Sequence, residues 1–176
     1  RISIKYSLIE MLNSLLYVLI YCNYGNSIDS LKGFLLSSLL IVIAGIDLKT
    51  HYIYKSTTIF GIGAFIFIEI IDLLISWQIP WENLLAGALG VIVIGAIVFF
   101  TGGMGEGDIE IALIIGLFLG IKGLMLALFI AFILGGIIAS IFLILKFKER
   151  KAEIAFGPYL AIGAIISLLY STEIIN

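Results

Sequence analysis

The sequence predicts an all-α fold, a polytopic integral membrane protein built as a bundle of about six to seven transmembrane helices. Three observations lead there. Of the 176 residues, 62% are hydrophobic and only 12% are charged, about half the charged share of a soluble domain. The mean hydropathy is +1.23. Apolar stretches that approach the ~20 residues of a spanning helix recur along the whole chain.

Taken in order, the apolar segments cover residues 7–22, 31–47, 56–76, 83–101, 108–120, 123–145 and 155–172. The fifth is short and bounded by glycines, which predicts a tilted, thinly embedded or partly re-entrant helix. The connections are brief, so neighbouring segments run antiparallel and residues 1–176 form a single membrane-embedded domain. No internal repeat or low-complexity linker interrupts it. The chain begins with Arg1 rather than Met, the mark expected of a fragment or a processed product.

Charge sets the orientation. With the amino terminus in the cytoplasm and the loops alternating, one side holds Arg1, Lys5, Lys49, Lys55, Lys146, Lys148, Arg150 and Lys151, and the other only Lys32 and Lys122. That asymmetry follows the positive-inside rule. The densest cluster, "KFKERK" at 146–151, reads as a topogenic cytoplasmic loop. The remaining basic residues are scattered, so no nucleic-acid surface is expected. The single cysteine, Cys22, excludes an intrachain disulfide and a cysteine zinc site. No metal-ligand spacing appears, and no serine has a histidine partner in a motif.

A carboxylate in or at the edge of a bilayer is costly and marks function by default. Asp29, Glu82, Glu149, Glu153 and Glu173 fall in loops or ends and read as solvated surface. Glu10, Glu69 and Asp72 lie inside apolar segments; Asp72 stands near a segment end, within reach of the far interface. Asp47 and Asp108 stand apart. Asp47 closes the apolar run "LLIVIAGIDLKTHYIYK", and Asp108 follows "TGGMGEG" and opens another. Although 61 positions apart in sequence, the alternating topology brings both to the cytoplasmic margin. Glycines tolerate positive φ and close backbone approach, so Gly105 and Gly107 predict a tight turn with Asp108 at or near a helix N-cap. Read alone, Asp108 is equally a capping residue. As a pair, two carboxylates sharing one site hold a proton between them, which suits one as general base and the other as general acid on a peptide bond. His51, four residues past Asp47, neighbours it if the helix continues; otherwise it is interfacial.

These residues carry a family resemblance. "GEGD" at 105–108 matches the Gly-x-Gly-Asp motif of intramembrane aspartyl proteases. "RISIKYSLIEMLNSLLY" at 1–17, "AGIDLKTHYIYK" at 44–55, "GGMGEGDIEIALIIGLFLG" at 102–120 and "IAFGPYLAIGAII" at 154–166 follow in the order of the type IV prepilin leader peptidases. The resemblance implies an aspartic endopeptidase in the plasma membrane whose site faces the cytoplasm. Its substrates would be type IV prepilins or pseudopilins, cut after their basic leader. It makes Asp47 and Asp108 the catalytic pair. Gly103, Gly105 and Gly107 would shape the substrate-facing loop, and Phe156, Gly157 and Pro158 would support the site. Peptide cleavage needs no metal or cofactor. S-adenosylmethionine is implied only for bifunctional members, whose Cys-x-x-Cys pairs upstream are absent from this chain.

The chain departs from the pattern at two places. The first motif continues Ile53-Tyr54-Lys55 where the family has Ile-Pro-Asp, and Glu110 stands where a lysine often follows the second aspartate. Two other readings stay open: a proton-coupled transporter component, which also uses intramembrane carboxylates and Gly-broken helices, and a catalytically silent assembly factor.

Overall fold

The computed structural model describes residues 4–102, 104–145 and 155–174. These form six helices, with no strand among the described residues: α1 (Ile4–Tyr24), α2 (Ile28–Thr50), α3 (Lys55–Ser76), α4 (Trp81–Thr101), α5 (Glu106–Ile144) and α6 (Gly157–Ile174). The helix ends follow local chemistry. Ser27 caps α2 by accepting from the Ser30 N–H at 3.2 Å, and Gly102, at φ 57°, closes α4 by donating its N–H to the Val98 carbonyl. Pro80 precedes α4, where its missing N–H breaks no helical bond.

α5 consists of two arms. Gly120 sits at φ 69°, ψ −175°, a region that essentially only glycine occupies, and it interrupts the helix. Packing shows that the chain doubles back there. The first arm runs antiparallel to α4: the Asn83 amide donates to the Leu117 carbonyl at 2.7 Å, and Gly90 lies so close to the Ala112 carbonyl that a Cβ would stand 2.6 Å from its oxygen. The second arm runs antiparallel to α6, with Ser167 Oγ donating to the Gly123 carbonyl at 2.8 Å and the Phe156 ring seated on Gly135. The expected fifth and sixth segments are these two arms, with the break at Gly120 itself. Small residues at the contacts let the helix backbones touch, as is common where lipid supplies no hydrophobic drive between helices.

The first arm, residues 106–119, is about 21 Å long by helix geometry, shorter than the ~30 Å of bilayer hydrocarbon. It is also the centre of the molecule: Ile111, Ala112, Ile114 and Ile115 are fully buried. Gly95 of α4 lies opposite Ile109, and α4 runs on to Thr101, so Ile109 lies about 9 Å below the end of α4 and the start of the arm about 4.5 Å below it.

α2, α3, α4 and α5 are each long and apolar enough to cross a membrane. The outer faces of α3 and α4 expose Ile59, Phe60, Phe67, Phe99 and Phe100, large apolar side chains suited to lipid. Trp77 and Trp81 are exposed at one end of the bundle and Tyr52 and Tyr54 at the other, as in the aromatic belts of membrane interfaces. The chain is a multi-pass helical membrane protein.

Candidate active site

The α2–α3 turn delivers the first aspartate. α2 ends at Thr50, and His51 takes the left-handed conformation at φ 51°, its N–H donating to the Asp47 carbonyl at 2.9 Å. The helix therefore does not continue to His51. The turn nevertheless brings His51 into the same cavity as Asp47, close enough to act on it electrostatically. Ile53 then folds inward and packs on Gly107, where a Cβ would meet the Ile53 side chain at 2.7 Å. Gly107 is thus needed for close approach, not for a positive φ; among the described residues of the loop before Asp108 the left-handed one is Gly102.

The second aspartate comes from the first turn of α5. Asp108 lies three residues past Gly105, whose N–H donates to Asp108 Oδ2 at 3.1 Å. This is the reach-back half of a capping box, in which the third helical residue accepts from the N-cap backbone. The expected capping role holds, within the first turn of the helix.

α6 supplies the third element. The Gly157 N–H donates to Asp47 Oδ2 at 3.0 Å, and a Cβ on Gly157 would stand 2.6 Å from that oxygen. Only glycine lets the start of α6 come this close, and the free N–H groups of a helix start favour an anion there. Pro158, buried in the first turn, forgoes an N–H that the helix would not use. Phe156 stacks with Phe132 at a centroid distance of 5.6 Å and with Tyr159 at 6.1 Å.

Together these elements enclose a cavity of about 350 Å³. Asp47 and Asp108 both line it, and they expose only 5% and 4% of their surfaces. Asp47 acts electrostatically on Asp108 across it. Each aspartate gives one oxygen to a backbone N–H; among the described residues neither has an ion pair, and the other oxygen of each makes no hydrogen bond. Gly105, Gly107 and Phe156 also line the cavity, whereas Gly157 and Pro158 stand behind it. Gly103 lies outside the described residues, as do Arg1 and the basic loop at 146–151. Sequence reasoning did not single out Tyr52, Met104 or Glu106, which complete the wall with His51, Lys55 and Glu110. Their nearness in sequence to the two aspartates was the available signal.

The chain was compared with known proteins. Residues 34–140, which include both aspartates, match the type IV leader peptidase family. The chain belongs to that family. Members similar to it include proteins named prepilin leader peptidase/N-methyltransferase from Xanthomonas campestris pv. campestris (28% identical, covering 99% of this chain and 62% of that protein), Bacillus subtilis (29%, 100% and 70%) and Neisseria gonorrhoeae (30%, 94% and 58%). The chain thus spans about six- to seven-tenths of the length of these family members. No solved structure matches it.

Proposed function

We propose that this chain is an aspartic endopeptidase that cleaves the basic leader from type IV prepilins or pseudopilins at the cytoplasmic membrane face. The observation that carries the reading is the meeting of Asp47 and Asp108, from helices far apart in sequence, in one recessed cavity without a bonded cation. The names of the similar family members and the order of the sequence motifs support the substrate class. The excess of basic residues on the loops at this end supports the face.

The chemistry needs only water and the two carboxylates. One aspartate, ionised, takes a proton from a water held between them as its oxygen attacks the peptide carbonyl carbon. The other, protonated, gives its proton to the carbonyl oxygen. Collapse of the tetrahedral adduct breaks the C–N bond, and the amine leaves with the proton the base had taken. The backbone donors at Gly105 and Gly157 fix one oxygen of each aspartate, so the remaining two are aimed without further reorganisation.

The test is cleavage of a prepilin by the chain in lipid nanodiscs, read by mass spectrometry of the released leader. The parent protein should cut once, after a glycine at the end of the leader. Asp47→Asn and Asp108→Asn should each be silent while keeping the parent's size-exclusion profile. A folded parent chain that leaves prepilins intact would instead favour the silent assembly factor. Cleavage by either Asn variant at the parent rate would refute the mechanism.

A further inference from the structure

Two residues beyond Asp108, the cavity carries a further carboxylate that the two-aspartate chemistry does not use. Glu110 is half-buried on α5 and lines the same cavity. Thr58 Oγ1, on a buried residue of α3, donates to Glu110 Oε2 at 2.5 Å. That bond fixes the carboxylate and occupies one oxygen. Among the described residues no lysine, arginine or histidine is ion-paired with it. Lys55, one turn before Thr58 on α3, lines the cavity too, and among the described residues no ion pair joins it to Glu110. A carboxylate kept partly out of water without a cation is costly, and a cation arriving with a ligand removes that cost.

Resting on the peptidase reading, we propose that Glu110 is a specificity-determining residue whose carboxylate binds the ammonium or guanidinium of a basic substrate residue close to the bond that is cut. Helix geometry sets the distance. Residues two apart on a helix have Cα atoms about 5.4 Å apart and side chains that point apart, which sets the two carboxylates roughly 10 Å from each other. An extended chain advances about 3.3 Å per residue. A substrate lying across Asp108 thus places its Glu110 partner within about three residues of the scissile bond. The Thr58 hydroxyl positions the carboxylate for that contact and leaves Oε1 to accept from the cation.

A double-mutant cycle between enzyme and substrate tests this. Synthetic prepilin peptides carry lysine, or glutamine in its place, at each of the three positions before the cut. Cleavage kinetics are measured with the parent chain and with Glu110→Gln, and peptide affinity by fluorescence anisotropy in an Asp108→Asn background. Glu110→Gln should raise KM about tenfold for the parent peptide with kcat within twofold. Replacing one particular lysine of the peptide should do the same, and the two changes together should add nothing. Glu110→Lys should recover a peptide carrying glutamate at that position. Effects that multiply for every peptide, or a loss in kcat shared by all peptides, overturn the proposal. So does a Thr58→Val variant that reproduces the Glu110→Gln defect on lysine-free peptides, since that marks a tether between α3 and α5. If peptides bind but are never cut, the peptidase reading fails while the affinity cycle still decides Glu110. Absence of binding overturns both.

Discussion

At one end of the bundle Asp47 and Asp108 face a cavity with no cation bonded to either; at the other, Glu69 and Asp72 of α3 close on Lys32 of α2. Lys32 Nζ lies 2.6 Å from Glu69 Oε1 and 3.7 Å from Asp72 Oδ2, and the Lys32 and Glu69 side chains are only 12% and 9% exposed. Both ends therefore hold paired acids out of water, yet they solve the cost differently. The Lys32 end sets a charge from the neighbouring helix against its carboxylates, which leaves Glu69 paired within the bundle. The aspartate end uses backbone N–H groups from Gly105 and Gly157 instead, which satisfy one oxygen of each acid and leave the other open. A carboxylate at similar burial, Glu69 against Asp47 or Asp108, thus serves packing at one end and suits proton transfer at the other, and the partner decides which.

The largest effect that sharpens this comparison lies in turnover. Asp47→Asn and Asp108→Asn should each lower kcat by on the order of 10³-fold or more, and the double variant should be scarcely worse, because groups that share one proton act as a unit. Asp72→Asn, which alters an acid at the Lys32 end, should leave kcat within about twofold. Single-turnover cleavage of a prepilin in nanodiscs measures both. Additive losses from the two aspartates would mean that they do not share a step.

The converse effect lies in stability. Lys32→Met strands two carboxylates in the bundle and should cost about 3–5 kcal/mol, as removing one partner of a buried pair does. Lys32→Met combined with Glu69→Gln should recover part of that loss. Denaturation in mixed micelles, followed by tryptophan fluorescence, reads the difference. A Lys32→Met variant as stable as the parent would show that this end is solvated and the comparison mistaken.

Much of the aspartate end was legible because its parts are local. Gly105, Gly107 and Asp108 lie within one turn, and hydropathy with charge alternation brought Asp47 to the same end. The inner geometry was less legible. Nothing in the residues said that His51, a residue with a Cβ, would take a left-handed conformation and turn its ring toward the cavity instead of extending α2. The glycine conformations were anticipated at Gly105 and Gly107, but among the described residues of that loop the positive φ falls on Gly102. The Lys32 pairing depends on the rotation of α2 against α3, which hydropathy does not encode. Two signals for it were present: topology put Lys32 and Asp72 at one end, and Glu69 and Asp72 are three apart on a helix, on one face.

Between these ends the glycines grade the remaining expectations. Gly157→Ala drives a methyl group toward Asp47 Oδ2, where its Cβ would lie 2.6 Å away. α6 or Asp47 must shift, and if Asp47 is a reacting group a displacement of that size should lower kcat by about 10- to 100-fold. Pro158→Ala, behind the cavity, should change kcat by less than about threefold. If Gly157→Ala turned over like the parent, the N–H at that position would be incidental to aiming Asp47.

Gly120 lies at the Lys32 end, beside Glu82, whose carboxyl carbon would be 3.7 Å from a Cβ placed there. There is room for that methyl, so the penalty of Gly120→Ala is conformational: φ 69° with ψ −175° costs a residue with a Cβ about 1–3 kcal/mol. The break at Gly120 is also what returns the second arm of α5 toward Phe156 and hence seats α6 against Asp47. If the two ends are independent, the Gly120→Ala loss should appear in the denaturation midpoint and leave kcat unchanged. If the strain is relieved by swinging the second arm, kcat should fall alongside stability, and a further Gly157→Ala substitution should then cost less than it does in the parent. The pair of measurements therefore decides whether the hairpin at Gly120 only closes the fold or also sets the position of the Gly157 N–H on Asp47.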